Sequence, residues 1–400
     1  MKDKKSTLYV FSIIATVLNF VLLFEIIYLL DDSVYGNFIY FHSIATILAS
    51  FASLRLELVI TDAHNINKAI SWMIYPIVIS SLLSFLSVII ISFFIDLTSF
   101  EFLYITLISL LICSYSCLQQ FYIIRDKHFI NSILLVLVPL INVVFTYFFN
   151  EKMDVLLFSN LLAYSLTVFI GFLIFFYFNY KLLKKDFKFI PLKYLDYKRY
   201  FIFSYPIGVI SSYNINFVNI IIGNVFGLSI LGVFSVANKI ISVPFSSIGS
   251  VWSSLSRADF SREFSNKRKV SKAYLMKFFK KTLYISIISS VLMITCALIL
   301  IKSFEFFNKY DGLNLFVTIL IPVSIITFII QSLNSILVTV NLTNFYLKLN
   351  ILSFITLMLF YLITDKFIIE ISEALILYNI LYFITLIFII YKINHRNEIK

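Results

Sequence analysis

Apolar residues in this chain do not alternate with polar ones; they run on, about 20 at a time, between short charged or turn-forming stretches. A hydrocarbon core of roughly 30 Å needs about 20 consecutive apolar residues in a helix. Runs of that kind occupy 8–30, 37–60, 71–95, 102–123, 130–149, 155–178, 201–223, 231–255, 282–303, 313–340, 345–364 and 374–391, which predicts twelve spans. An outer-membrane barrel would instead alternate polar and apolar residues in segments of about ten. The runs are continuous, so the predicted fold class is an all-α polytopic membrane protein. The first run follows Lys2, Lys4 and Lys5, as a signal peptide would. It is longer than the usual apolar region of such a peptide and reaches Leu29-Leu30-Asp31-Asp32 with no small-residue cleavage site, so it reads as a span.

Composition agrees with that pattern. Of 400 residues, 60% are hydrophobic and only 13% charged, whereas a soluble domain carries about a quarter charged residues. A compact soluble fold has too little interior to hide so many Ile, Leu and Phe side chains, so lipid is the solvent for much of the surface. The formal charge of +11 is a matter of topology more than of nucleic acid binding. With a cytoplasmic N-terminus, 27 of the 32 Lys and Arg residues fall on the inner side, a strong positive-inside bias that places both termini in the cytoplasm. Cys113, Cys117 and Cys296 all lie within spans, where they read as small packing residues.

Basic residues cluster at 179–200 and 257–281, and the first cluster divides the spans six and six. The expected domains are therefore 1–190 and 191–400, each a six-helix bundle. Because six is even, both halves enter the membrane in the same direction, as a parallel repeat requires. Ser33-Val34-Tyr35-Gly36-Asn37-Phe38 and Ser229-Ile230-Leu231-Gly232-Val233-Phe234, 196 residues apart, are weakly alike and sit at equivalent places in the two halves. The run at 257–281 is most simply a set of contacts to lipid headgroups.

Catalytic signatures are missing. The chain has no P-loop, no GxGxxG, no HExxH and no cysteine pair spaced for zinc, and His42, His64, His128 and His395 are scattered. External loops are short, so no soluble catalytic domain fits there. The expectation is a non-enzyme that needs no cofactor or metal. What remains is polarity within the spans, where an ionisable group is costly and needs a partner or a wet cavity. Lys239 lies about eight residues into the eighth span, roughly 12 Å deep. Glu25 sits at a comparable depth in the first, and the two are candidates to face each other across a central cavity. Ser212, Asn216, Asn219 and Gly223 share one face of the seventh span, with Asn214 adjacent. Amides on such a face either pack against other helices or line a wet lumen. Gln119, Gln120, Gln331, Asn334 and Ser335 add further polarity. Pro76, Pro139, Pro206, Pro244 and Pro322 allow five spans to bend. Arg55 and Glu57, near the end of the second span, are two apart and fall on different faces of a helix, so they are expected to meet separate partners at a gate.

Two stretches carry a family resemblance. Ser53-Leu54-Arg55-Leu56-Glu57-Leu58-Val59-Ile60 is similar to an L-R-x-E-x-x-I segment. Ser204-Tyr205-Pro206, followed by Phe226-Gly227-Leu228-Ser229-Ile230-Leu231-Gly232-Val233-Phe234-Ser235-Val236-Ala237-Asn238-Lys239, is similar to an F-G-x-x-x-L-G-x-Y-S-x-A-x-R signature. In these the chain resembles the polysaccharide (O-antigen, Wzx-type) flippases of the multidrug/oligosaccharidyl-lipid/polysaccharide (MOP) exporter superfamily. Phe234 stands for the aromatic residue of the pattern and Lys239 for its Arg.

The resemblance implies two six-helix bundles forming a V around a cavity lined by spans 1, 2, 7 and 8, in a bacterial cytoplasmic (inner) membrane. It implies flipping of an undecaprenyl-diphosphate-linked oligosaccharide by alternating access, for O-antigen, lipopolysaccharide, capsule or another surface polysaccharide. Its implied partners are that substrate, membrane lipids, and polysaccharide polymerase and chain-length proteins, with no nucleic acid. Lys239 is then the candidate for the diphosphate or the switch, Asn214, Asn216, Asn219 and Asn238 for substrate contacts with Glu25, and Arg55 and Glu57 for the gate. A Lys in place of Arg gives up bidentate phosphate geometry. An ion-coupled small-molecule (multidrug-type) exporter of the same fold is the alternative, and a membrane polymerase a distant third.

Overall fold

The structure is a computed structural model. It describes residues 2–242 apart from 64, 126, 150–153, 186–187, 194–197 and 199, then 280–288, 313–339 and 343–366 with isolated positions between and after them. The run at 257–281 (save 270–271 and 280–281), the last predicted span (save 376–377 and 380), Pro244, Cys296, His64, His395 and the side chains of Gln331, Asn334 and Ser335 lie outside the described residues. Among the described residues the regular secondary structure is helical except for a two-residue antiparallel bridge between Val270–Ser271 and Glu398–Ile399.

Helices follow the apolar runs: α1 Lys2–Leu29, α2 Asp32–Ala52, α3 Ile66–Ser92, α4 Ser99–Ile124, α5 His128–Phe148, α6 Val155–Lys185 and α7 Tyr205–Phe226. After these come α8 Leu228–Ser242, α9 Leu313–Thr339 and α10 Thr343–Lys366. Five of them, α3 to α7, contain stretches long and apolar enough to cross a membrane. Their starts are set by local chemistry. The Asn65 side chain accepts from Lys68 N–H, and Thr98 and Glu101 form a reciprocal capping box ahead of α4. A π-helical turn at Tyr200–Ser204 leads into α7 just before Pro206, whose ring has no N–H to donate. Gly227, at φ 93°, is the single residue between α7 and α8, and only glycine takes that backbone without cost.

The second span differs from what the apolar run predicts. In place of an unbroken helix over 37–60, α2 begins at Asp32 and ends at Ala52. Leu54 and Arg55 then take left-handed φ of 49° and 55°, and Leu56–Asp62 continues as a 3-10 helix. Two non-glycine residues in that region are costly. They are held because Leu56, Val59 and Ile60 are buried in the core beyond the break. Ser53 Oγ also accepts the Arg55 N–H at 3.2 Å, replacing a lost helical bond.

The chain forms two compact units, Met1–Leu30 with Asn37–Ile220, and Asp31–Gly36 with Ile221–Lys400. In the first, α1 packs on α5, α3 on α4, and α6 on both α4 and α5. Its core gathers Trp72, Phe121, Tyr122, Leu134 and Phe175 around the 3-10 segment. Leu82, Phe85, Leu86, Ile90, Phe169 and Leu173 stay exposed, which suits a lipid-facing surface and would be a liability in water. Ile190 and Leu192, beyond α6, donate backbone N–H groups to Ser71 Oγ and Tyr75 Oη at 2.9 and 3.2 Å, strapping the chain to α3. In the second unit the first turn of α2 crosses the start of α8, and Phe234 of α8 meets Phe316 of α9 edge to face.

Candidate functional site

Within the first unit a cavity of about 410 Å³ opens between α2, α4 and α7. From α2 it is lined by His42, Thr46, Ser50 and Ser53, from the break after α2 by Arg55 and Glu57, from α4 by Cys113 and Ser116, and from α7 by Gly208, Ser211, Ser212 and Asn216. Polar residues outnumber apolar ones along the wall, and two of the three helices around it, α4 and α7, are long and apolar enough to span a bilayer.

The backbone break organises this site. By turning the chain left-handed at Leu54 and Arg55, it puts the Arg55 guanidinium 3.3 Å from the Glu57 carboxylate, Nη1 to Oε1. The expectation that these two side chains point to separate partners is corrected here: it assumed helical geometry, and the residues are not in an α-helix. Glu57 is buried, its side chain 6% exposed, while the Arg55 side chain is 35% exposed. Among the described residues, Glu57 Oε2 and Arg55 Nε are both buried without a hydrogen-bond partner. Arg55 also lies against the backbone of α7. A Cβ on Gly208 would stand 2.0 Å from Arg55 Nε and 2.9 Å from Nη2.

At the other end of the cavity a polar chain leads into the core. Tyr104, fully buried, donates its phenol proton to Asn160 Oδ1 at 3.1 Å. Its oxygen therefore accepts from His42 Nδ1–H at 3.1 Å, which fixes the orientation of the imidazole. Phe38 stacks on the same ring at 5.3 Å.

The predicted site residues separate into groups. Asn216 lines the cavity, its Nδ2 donating to Ser212 O at 2.8 Å. Asn219 donates to Ser43 Oγ of α2 at 2.9 Å, and Ser212 Oγ to Thr46 O at 3.2 Å, so this face of α7 is also stitched to α2. Asn214 is buried and is not among the residues lining the cavity. Glu25, on α1, has both carboxylate oxygens buried without a hydrogen-bond partner among the described residues. In the second unit Asn238 and Lys239 are half-buried. The Lys239 ammonium stands 5.4 Å from the centre of the Tyr35 ring, a cation–π contact. Among the described residues no carboxylate pairs with it. Nor, among those residues, do three His, Cys, Asp or Glu side chains cluster in a way that suits a metal. Gly208, Tyr104 and Asn160 escape a reading of the sequence. The only hint of them is Gly208 two residues after Pro206, in a stretch already singled out.

No protein-family model matches the sequence, and no curated protein matches it. Solved structures do. An inward-facing multidrug resistance MATE family transporter of the MOP superfamily superposes with a TM-score of 0.64 at 13% identity, covering 95% of this chain and 94% of its own. The MATE multidrug transporter DinF-BH superposes at 0.61 with 14% identity over 98% and 96%. An outward-facing MATE transporter gives 0.58 and 14% over 98% and 96%. At such identities the likeness is one of fold: this chain has the all-α fold of the MATE transporters over nearly its whole length.

Proposed function

We propose that the chain is a membrane transporter of MATE type that works by alternating access. The observation that carries this reading is a cavity lined largely by polar residues, with a buried carboxylate, beside two helices, α4 and α7, apolar enough to span a bilayer. Polar groups at that depth are expensive unless they serve a pathway. The fold supports the same reading.

Two substrates are in view. The fold neighbours are multidrug transporters, and that likeness speaks for an ion-coupled small-molecule exporter more directly than for a flippase. The Glu25 carboxylate, without a hydrogen-bond partner among the described residues, favours the exporter too, because a coupling ion could neutralise it. The flippase reading, with a diphosphate-linked oligosaccharide as cargo, rests on Lys239. An ammonium with no paired carboxylate among the described residues suits an anionic headgroup and would repel a cationic drug. The hydroxyl- and amide-lined cavity suits a glycan.

Deletion of the gene separates the two. A flippase leaves lipid-linked repeat units stranded on the cytoplasmic face and depletes surface polysaccharide. Normal surface polysaccharide in the deletion strain, together with gradient-driven efflux of a cationic dye by the purified protein in liposomes, would settle for the exporter.

A further inference from the structure

One face of α6 is graded from apolar to charged. Phe169, Leu173, Phe176 and Tyr180 are all exposed, and Lys184, also exposed, follows them. Their spacing of i, i+4, i+7, i+11 and i+15 makes a single stripe about 22 Å long on the helix. The apolar stretch of α6 ends at Tyr180. The stripe therefore offers hydrocarbon first, then an amphipathic ring, then an ammonium group, the order in which a phospholipid presents acyl chain, glycerol and phosphate. Two ammonium groups are held against rings at that end. Lys184 Nζ stands 5.8 Å from the centre of the Tyr180 ring, and Lys127, just before α5, has its Nζ 4.8 Å from that of Phe178. Among the described residues neither lysine pairs with a carboxylate. The strap beyond α6 adds to the patch. Lys188 follows Lys184 by four residues, at most about 14 Å of extended chain, and is exposed, while the bonds of Ile190 and Leu192 to α3 hold the backbone beside it. Between 179 and 193 the sequence carries five lysines and one acid, Asp186.

We propose that this face of the first unit binds one class of lipid, an anionic phospholipid, with Lys127 and Lys184 on its phosphate, Lys188 beside its headgroup and the acyl chains along Phe169, Leu173 and Phe176. The lysine distribution that orients the chain puts this end of α6 at the cytoplasmic leaflet, whose negative surface potential draws such clusters. A zwitterionic lipid fits the same apolar stripe, but its own ammonium offsets the phosphate charge, so it gains less from the lysines. A soluble anion meets the lysines and leaves the stripe uncovered. The charge and the apolar stripe together select a lipid that carries a net negative headgroup.

The test uses the full-length protein in detergent, with phosphatidylglycerol, phosphatidylcholine and inorganic phosphate as probes, and reads retained lipid by native mass spectrometry and the unfolding temperature beside it. Phosphatidylglycerol is held about tenfold more tightly than phosphatidylcholine, and added salt narrows the difference. Lys127→Gln with Lys184→Gln removes most of that preference, whereas Lys127→Arg with Lys184→Arg, which keeps both charges, retains it. Phosphatidylglycerol raises the unfolding temperature of the wild type, and inorganic phosphate leaves it where it was. Equal retention of the two lipids by the wild type overturns the proposal, as does an undiminished preference in the double glutamine variant. A rise with inorganic phosphate as large as that with phosphatidylglycerol also overturns it, because the site would then be one for a soluble anion. None of these measurements involves transport, so the result is independent of the transport reading.

Discussion

Gly36 and Gly232 are the reciprocal partners of one helix crossing. A Cβ on Gly36 would lie 1.7 Å from Leu228 O, and a Cβ on Gly232 would lie 1.9 Å from Asp32 O. Leu228 precedes Gly232 by one helical turn and Asp32 precedes Gly36 by one turn, so the contact maps onto itself when the two helices are exchanged. Close approach of backbones at small residues is how membrane helices associate without a hydrophobic drive between them. Asp32 accepts from Ser229 beside the crossing, and Asp31 pairs with Lys309 at 2.7 Å. Next to them Tyr310 is buried, and burial, with the charges of Tyr35, Asp32 and Asp31, pushes its phenol pKa up.

The crossing predicts coupled mutants. Gly36→Ala or Gly232→Ala alone must push α2 and α8 apart, because the obstacle is backbone and cannot rotate away. Each is expected to lower the thermal unfolding temperature of the detergent-solubilised protein. Once one alanine has separated the helices, the second meets little, so the double variant should fall short of the sum by about 1–3 kcal/mol in a double-mutant cycle. Strict additivity would show that the two glycines do not share a contact.

The same pair marks how far the sequence alone reaches. The 196-residue similarity around Gly36 and Gly232 is visible in the chain, and so are α3 to α7, because a bilayer demands continuous apolar runs and these cannot be mistaken. The break at Leu54 and Arg55 is invisible, since leucines continue through it at 54, 56 and 58 and no Gly or Pro marks it. A helix drawn through that point sets Arg55 and Glu57 on different faces, when they in fact pair. The amides of α7 show a related limit. Their shared face is legible from spacing, yet only the packing of α2 decides that Asn219 is held by Ser43 while Asn216 looks into the cavity.

Breaking the Arg55–Glu57 pair should be costly in one direction more than the other. Arg55→Ala leaves a buried carboxylate uncompensated, whereas Glu57→Ala leaves a guanidinium that is a third exposed and can turn to water. Arg55→Ala is therefore expected to destabilise by about 2–3 kcal/mol, with Glu57→Ala smaller. Denaturation of the two variants side by side checks the order; a larger loss for Glu57→Ala would mean that Arg55 is the member held away from water.

Gly208 sets where the Arg55 guanidinium lies. Gly208→Ala is expected to displace that group and to change transport about as much as Arg55→Lys does, while the fold survives because the obstructing atoms end a flexible side chain. In an Arg55→Ala background the three atoms nearest the added methyl are gone, so its effect on transport should largely vanish. A persistent effect in that background would place the role of Gly208 in helix packing instead.

Lys239 is the sharpest test of what the protein carries. It sits half-buried on α8 with the face of Tyr35 near its ammonium and no paired carboxylate among the described residues. A cation kept in that position without a counter-ion is costly, and an anionic headgroup arriving with the cargo would offset the cost. Lys239→Ala is then expected to abolish transport of a lipid-linked diphosphate, and Lys239→Arg to retain part of it, because Arg keeps the charge and gains bidentate geometry while needing more room. Expression and unfolding temperature should change little in either variant. If Lys239→Ala transports normally, the lysine is a structural residue held by Tyr35, and the case for an anionic substrate loses its main support.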